Sequence, residues 1–311
     1  MKKLLIALFG GKKANDPAHK FTAYAIFGTS AILALAILVL AVSSIAFAIA
    51  DSKQPAPPTV EGGGGGDGSG GLGSSALGLV ASTYNENQLY SGDLIVLNDT
   101  NPLNPNSNNK NDLVKLTDNR QQKPEGETGF RFYYSVNTNS SATTATQNAL
   151  DTMMMDYYVA NNNDDNLIVN KAYGSGGIYD SGLVIELLYL NGSQRSDISS
   201  ETHVWIYTHA HEYGFVNVPS VGANVFRYVG KAHATYMKEK SIATVEEYVE
   251  LLKTKNSSAP LSLGNKVYAF YVANTATAAV SSKYAYTVSG NNIDGYIVTV
   301  DTNTPLSAAT N

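Results

Sequence analysis

The chain has 311 residues, 15% of them charged and 43% hydrophobic, with no cysteine and a formal charge of −5. The missing cysteines exclude disulfide and thiolate chemistry, and the acidic balance argues against a nucleic-acid partner held by a basic face. The charge is divided unevenly, because Lys2, Lys3, Lys12, Lys13 and Lys20 face only Asp16 within residues 1–20, a pattern that points to a membrane.

Residues 21–50 carry no charge, and their centre, Leu33–Val42 (LALAILVLAV), is apolar throughout. At about 1.5 Å per residue the run can cross a ~30 Å hydrocarbon layer, so one transmembrane helix is expected. A cleaved secretory signal is the rival reading, since Ala46-Phe47-Ala48 and Ala48-Ile49-Ala50 both fit a small-x-small site. In either case the lysines stay in the cytoplasm and the remainder lies outside a bacterial cell. Residues 51–82 are rich first in proline, then in glycine and serine, and read as a tether.

The ectodomain is divided into a core over 83–256, an extension of the same domain over 257–302 and a tail over 303–311. No internal repeat is visible, and the asparagine-rich Asn101–Asn111 reads as a solvated loop. Asp93–Leu97 and Phe130–Val136 read as strands by their β-branched and aromatic content. Ala142–Ala160 repeats apolar residues at helical spacing, with Met153 and Met154 as core residues. Leu167–Val169 and Leu183–Leu190 return to strand. Ser199–Tyr213 reads as a serine-capped helix stopped by Gly214, Lys231–Lys240 as another, and Thr244-Val-Glu-Glu247 as a capping box opening a third. Lys266–Val272, Tyr284–Val288 and Tyr296–Val300 then read as strands. The mixture lacks a strict βαβ rhythm, which indicates α+β.

Several of these segments, in order, resemble the VanY-type D-alanyl-D-alanine carboxypeptidases (peptidase M15B). Ala210–Phe215 (AHEYGF), Phe226–Gly230 (FRYVG) and Thr244–Tyr248 (TVEEY) are similar to that family's AHKYGF, HFRYVG and LEEY. Upstream, Asn101-Pro-Leu103, Asp112-Leu-Val114, Ala149–Met153 and Ser181-Gly-Leu183 resemble further family segments. The resemblance implies a core of antiparallel sheet with helices, and a zinc held by His, Asp and His with a Glu as base. At those positions this chain has Tyr179, Glu186 and Val225 for the ligands and Gly222 for the base. Valine offers no lone pair and glycine no proton acceptor, so neither a tight metal site nor a base for water is expected, and no cofactor. The family arginine that meets the substrate carboxylate falls at Gly174, and the loops at Gly176–Ile178 and Val216–Val221 are short.

His209 and His211 are two apart on one expected helix and project to different sides, while His203 and His211 lie roughly 12 Å apart along it, so a relocated metal site is not expected. Trp205 and the tyrosines read as core. The reading that results is a membrane-anchored, outward-facing carboxypeptidase-like domain, catalytically inactive, whose partner is a peptidoglycan stem peptide or an envelope protein. Tyr173, Ser175 and Glu186 are its substrate-binding candidates. An active zinc carboxypeptidase and a structural envelope module are the alternatives.

Overall fold

The structure is a computed structural model that describes residues 75–306, apart from 118, 123–129, 138, 139, 163, 165 and 275–277. All described residues fall within one compact unit, Ser69–Asn311. The expected membrane helix at 21–50 lies outside the described residues, among which no helix is long and apolar enough to cross a membrane.

A seven-stranded sheet carries the architecture. It is built from β3 (Asn119–Gln122), β4 (Phe130–Val136), β6 (Leu167–Lys171), β7 (Val184–Asn191), β10 (Val225–Tyr228) and β9 (Phe215–Asn217) in that order, with β8 (Gln194–Asp197) pairing β7. The fold is α+β, but the sheet is mixed, not wholly antiparallel as the resemblance implied, because β4 and β6 run parallel. The long helix α1 (Thr144–Ala160) supplies the crossover that a parallel pair requires. Thr143 caps α1 through Thr146, and Leu150, Met153, Met154 and Tyr157 are buried against Ile185 and Leu187 of β7 and Phe226 of β10. The methionines are core residues, as their spacing indicated.

Two short strands, β2 (Leu113–Lys115) and β5 (Ser141–Thr143), pair beside the start of α1. Ser199–Tyr213 is shorter in helix than the sequence suggests. Its serine does not cap a helix; Ser199 closes a turn with Thr202 and His203, and α2 (Val204–His209) begins after it. One 3₁₀ turn comes next and ends at Gly214, whose φ of 93° is the left-handed stop that glycine permits. The helices α3 (Lys231–Glu239) and α4 (Val245–Lys253) lie further along the chain, the second capped by Thr244 as expected.

A four-stranded antiparallel sheet closes the chain: β11 (Leu261–Ser262), β12 (Val267–Ala273), β15 (Gly295–Pro305) and β14 (Tyr284–Gly290). Its Ala269 and Ile297 share one buried cluster with Met237 of α3 and Tyr248, Val249 and Leu252 of α4. The segment read as the end of the tether is part of this region. Leu79–Ser82 forms β1, which pairs β13 (Ala278–Ser281), and Leu77 is fully buried beside Phe270 and Val298. Burial of Leu77 and the ladder to β13 outweigh the flexibility that the flanking glycines suggest.

Asp93–Leu97 is not a strand. Its Leu94–Leu97 side chains are buried, while its backbone bonds go to side chains and a turn: Leu94 N to Ser289 Oγ at 2.9 Å and Val96 N to Asn291 O at 3.0 Å. Asn109, in the loop read as solvated, is also buried and donates to Gly92 O and Ser181 O.

His233 ties α3 to α4 and the last sheet through Tyr248 OH at 2.7 Å and Thr299 Oγ1 at 2.9 Å. Burial pushes its imidazole down to about 4, from 6.5. The folded protein therefore keeps His233 neutral where the unfolded chain gains a proton, so its contribution is whole above pH 6.5 and is lost as pH falls toward 4, by about 3 kcal/mol at most. Urea denaturation of wild type and His233→Gln should give a stability difference that shrinks over that window; a constant difference would contradict the buried neutral state.

Candidate functional site

The antiparallel register of β7 and β10 places Val225 opposite Glu186 and Arg227 opposite Val184. These four share one face of the sheet; Ile185 and Phe226 point to the other, toward α1. A cover of Ile95, Leu97 and Tyr179 packs on Val184 and Val225, with Ile178 and Val218 at its edge. Tyr179 sits on a 3₁₀ turn, Gly177–Ser181, that ends in left-handed Gly182. The turn needs glycine at Gly182 for its φ of 72°, and a Cβ there would also crowd Leu113 Cδ2 at 2.6 Å and Thr143 N at 3.2 Å.

Glu186 is held by three donors: Asn170 Nδ2 at 2.6 Å, Lys171 Nζ at 2.8 Å and Tyr179 OH at 3.3 Å. Burial raises its carboxyl, but the bonds from Lys171 and Asn170 and the Lys171 charge outweigh it and set the group below its ordinary value. Tyr179 moves the other way, raised by burial and by the Glu186 charge, and stays a neutral phenol. The Lys171 ammonium also lies 5.8 Å from the Tyr179 ring centroid. Asn170 is oriented in turn by Arg195, which donates to its Oδ1 at 3.2 Å.

Tyr179, Glu186 and Val225 therefore lie together, with Gly222 against Val225, as the resemblance implied. Gly222 lies in the turn joining β9 to β10, and a Cβ there would come within 3.0 Å of Val225 Cγ2. The arrangement does not fit zinc. Glu186 is engaged by an ammonium, an amide and a phenol; Val225 is fully buried hydrocarbon; the Tyr179 phenol is held protonated. Among the described residues no three His, Cys, Asp or Glu side chains are grouped to hold a metal.

Two cavities flank Tyr179. One, of about 450 Å³, is lined by Leu103, Ser107, Lys110, Tyr173, Gly174 and Asp180. Lys110 donates to Pro105 O at 2.7 Å, and the Asp180 carboxylate accepts from Gly174 N and Gly176 N, both at 3.2 Å. Tyr173 thus faces a cavity, Ser175 is exposed outside its lining, and Glu186 is turned to its own cluster, so the three binding candidates do not form one set. The other cavity, of about 380 Å³, is lined by Leu97, Ile178, Val218, Val245 and Glu246 over Arg227. Sequence reasoning does not single out Lys171, Asn170, Lys110 or Arg227, because what each side chain meets is decided by residues distant in sequence or by loop geometry.

Among the described residues His203, His209 and His233 have local partners, whereas His211 Nδ1 is buried with none. His209 pairs with Glu212 at 2.8 Å and stacks on Trp205, His203 bonds Thr202 at 2.8 Å, and burial lowers His211. Trp205 packs half-buried against the core beside Tyr157 and Tyr213.

No family model matches the chain. The vancomycin-resistance D,D-dipeptidase VanXYg, solved in complex with a D-Ala-D-Ala phosphinate analogue, superposes with a TM-score of 0.50 at 18% identity, covering 71% of this chain and 98% of that one. The fold is of the VanY-like carboxypeptidase type. A D-alanyl-D-alanine carboxypeptidase of Enterococcus faecium is 37% identical over 108 residues, 31% of this chain and 35% of that protein, so the match spans about a third of the relative. VanYB in complex with D-alanine-D-alanine gives a TM-score of 0.33 at 15% identity, covering 52% of this chain and 99% of that one.

The Lys171–Glu186 pair is half exposed at the lysine and mostly buried at the carboxylate, with side-chain exposures of 46% and 12%. Solvent screening limits its worth, and a double-mutant cycle of Lys171→Met and Glu186→Gln should give a coupling of about 1 kcal/mol by urea denaturation. The coupling should fade as pH falls through 4.5, because a Glu186 carboxyl set below its ordinary value stabilises the fold only above that range. Zero coupling at neutral pH would remove Lys171 from the cluster.

Proposed function

We propose that the chain is a membrane-anchored, outward-facing domain of the carboxypeptidase type that binds peptidoglycan stem peptides and does not cleave them. The observation that carries the reading is the Lys171 ammonium seated on Glu186, with the fully buried Val225 opposite. An internal cation satisfies the one carboxylate that zinc would need, and neither Gly222 nor Val225 supplies a base or a further donor. The likeness to VanXYg in fold and to the Enterococcus faecium carboxypeptidase in sequence supports a peptide ligand. In this reading the peptide lies along the cavity beside Tyr173 and Lys110, whose hydroxyl and ammonium are suited to amide and carboxylate oxygens.

The full-length protein is expected to hold no stoichiometric zinc and to release no D-alanine from a stem pentapeptide, while binding that peptide by calorimetry in a manner weakened by Tyr173→Ala. Restoring the family residues with Tyr179→His, Glu186→Asp, Gly222→Glu and Val225→His should recover zinc more readily than turnover, because Gly174 still leaves the substrate carboxylate poorly held. Metal-dependent release by wild type that disappears in Glu186→Ala would overturn the reading.

The placement rests on the basic residues 1–20 ahead of the apolar run 21–50. Protease added to intact cells stripped of their wall should digest the part beyond Ser82; full protection would overturn the outward orientation.

A further inference from the structure

The cavity over Arg227 is separate from the one beside Tyr173, and its chemistry does not depend on whether stem peptides bind to the latter. Its walls are aliphatic, Leu97, Ile178, Val218 and Val245 among them, and none of the described residues lining it is aromatic. That excludes the stacking by which sugars and bases are held. Its volume, about 380 Å³, lies at the small end of the ~300–1,000 Å³ range of small-molecule sites.

Of the polar residues in the lining, Asn217 is spent on Ala223 O and Val225 O, Ser220 is exposed, and the charged ones are Arg227, Glu246 and Asp99. Arg227 is buried and donates through Nη2 to Ile95 O and, at 3.4 Å, to Asp93 O, while its Nε has no partner. Burial brings its pKa down to about 10, so it stays a cation at neutral pH. None of the ion pairs among the described residues involves it. The buried Asp93 carboxyl and Glu246 both act on Arg227 through their charge, but neither forms an ion pair with it, so its Nε–H stays open to an anionic oxygen. At the mouth the sign reverses, with Glu246 and the exposed Asp99. Glu246 bears only one long bond, from Asn98 Nδ2 at 3.4 Å. Thr244 already serves the start of α4 by accepting from Glu247 N, so the helix end is not the attraction.

A positive floor, aliphatic walls and a negative rim match a small zwitterion with a branched side chain. The geometry points to a binding site for a free branched aliphatic amino acid of leucine size, its carboxylate on the Arg227 guanidinium, its side chain against Leu97, Val218 and Val245, and its ammonium facing Glu246 and Asp99.

Calorimetry on the full-length protein with leucine, leucinamide, alanine and N-acetyl-leucine tests each part. Leucine should bind about tenfold or more tighter than leucinamide, which lacks the carboxylate, and than alanine, which lacks most of the buried hydrocarbon. Glu246→Gln should weaken leucine several-fold and leave N-acetyl-leucine unchanged. Ala243→Trp, at an exposed position on the cavity rim, should abolish binding with an unchanged melting temperature. No binding of leucine, equal binding of leucinamide, or full affinity in Ala243→Trp would overturn the site.

Discussion

The structure depends on how the carbonyls of Asp93 and Ile95 are held by Arg227 from the middle of the main sheet. The Asp93–Leu97 segment lies across β7 and β10 without joining either as a strand, so its polar backbone has no ladder to complete. Arg227 from one side, and Ser289, Asn291 and Asn292 from the other, take those groups instead. A buried guanidinium is costly unless its donors are used, and a buried carbonyl is costly unless it accepts. Nη2 and the two carbonyls answer each other here, while Nε is left without a partner. The segment consequently joins the main sheet to the last sheet and brings Ile95 and Leu97 down as an apolar cover over Val184 and Val225.

That cover and the ion pair beside it change what the sheet face can do. In a carboxypeptidase of this type the face needs an open coordination position and an oriented water. Here a lysine from β6 meets the remaining carboxylate, a phenol completes it, and hydrocarbon fills the rest. The electrostatics are self-contained: the carboxyl is set low by Lys171 and Asn170, and the phenol is set high by burial and the Glu186 charge. Groups so satisfied have little reason to recruit a cation, whereas the two flanking cavities keep polar groups with free capacity, Lys110 and Tyr173 in one, Arg227 and Glu246 in the other.

Much of this is legible in the chain. Helices with regular apolar spacing or a side-chain cap, as at α1 and α4, are readable because their stabilising contacts are local. Gly214 can be read as a stop for the same reason. Leu94–Leu97 and Leu79–Ser82 mislead in opposite senses: the first has strand composition but no neighbouring strand, and the second has linker surroundings but finds β13 some 200 residues later. No local pattern reports a partner at that separation.

By itself the sequence determined the residue types at the positions that the resemblance singles out, and with them that Val225 can offer no metal donor and Gly222 no base, because a side chain's capacity to donate or accept is a covalent property. That Tyr179 and Glu186 would be close was implied only by the resemblance, since a spacing of seven residues leaves the separation open until the turn at Gly177–Ser181 and the strand at Val184–Asn191 are formed. Only the tertiary structure decided that Lys171 and Asn170 would engage Glu186, that Asn109 would be buried in a polar loop, and that Arg227 would lie under a cavity. The physical reason is the same in each case: burial and pairing are set by which strands lie side by side, and strand order is a property of the whole sheet.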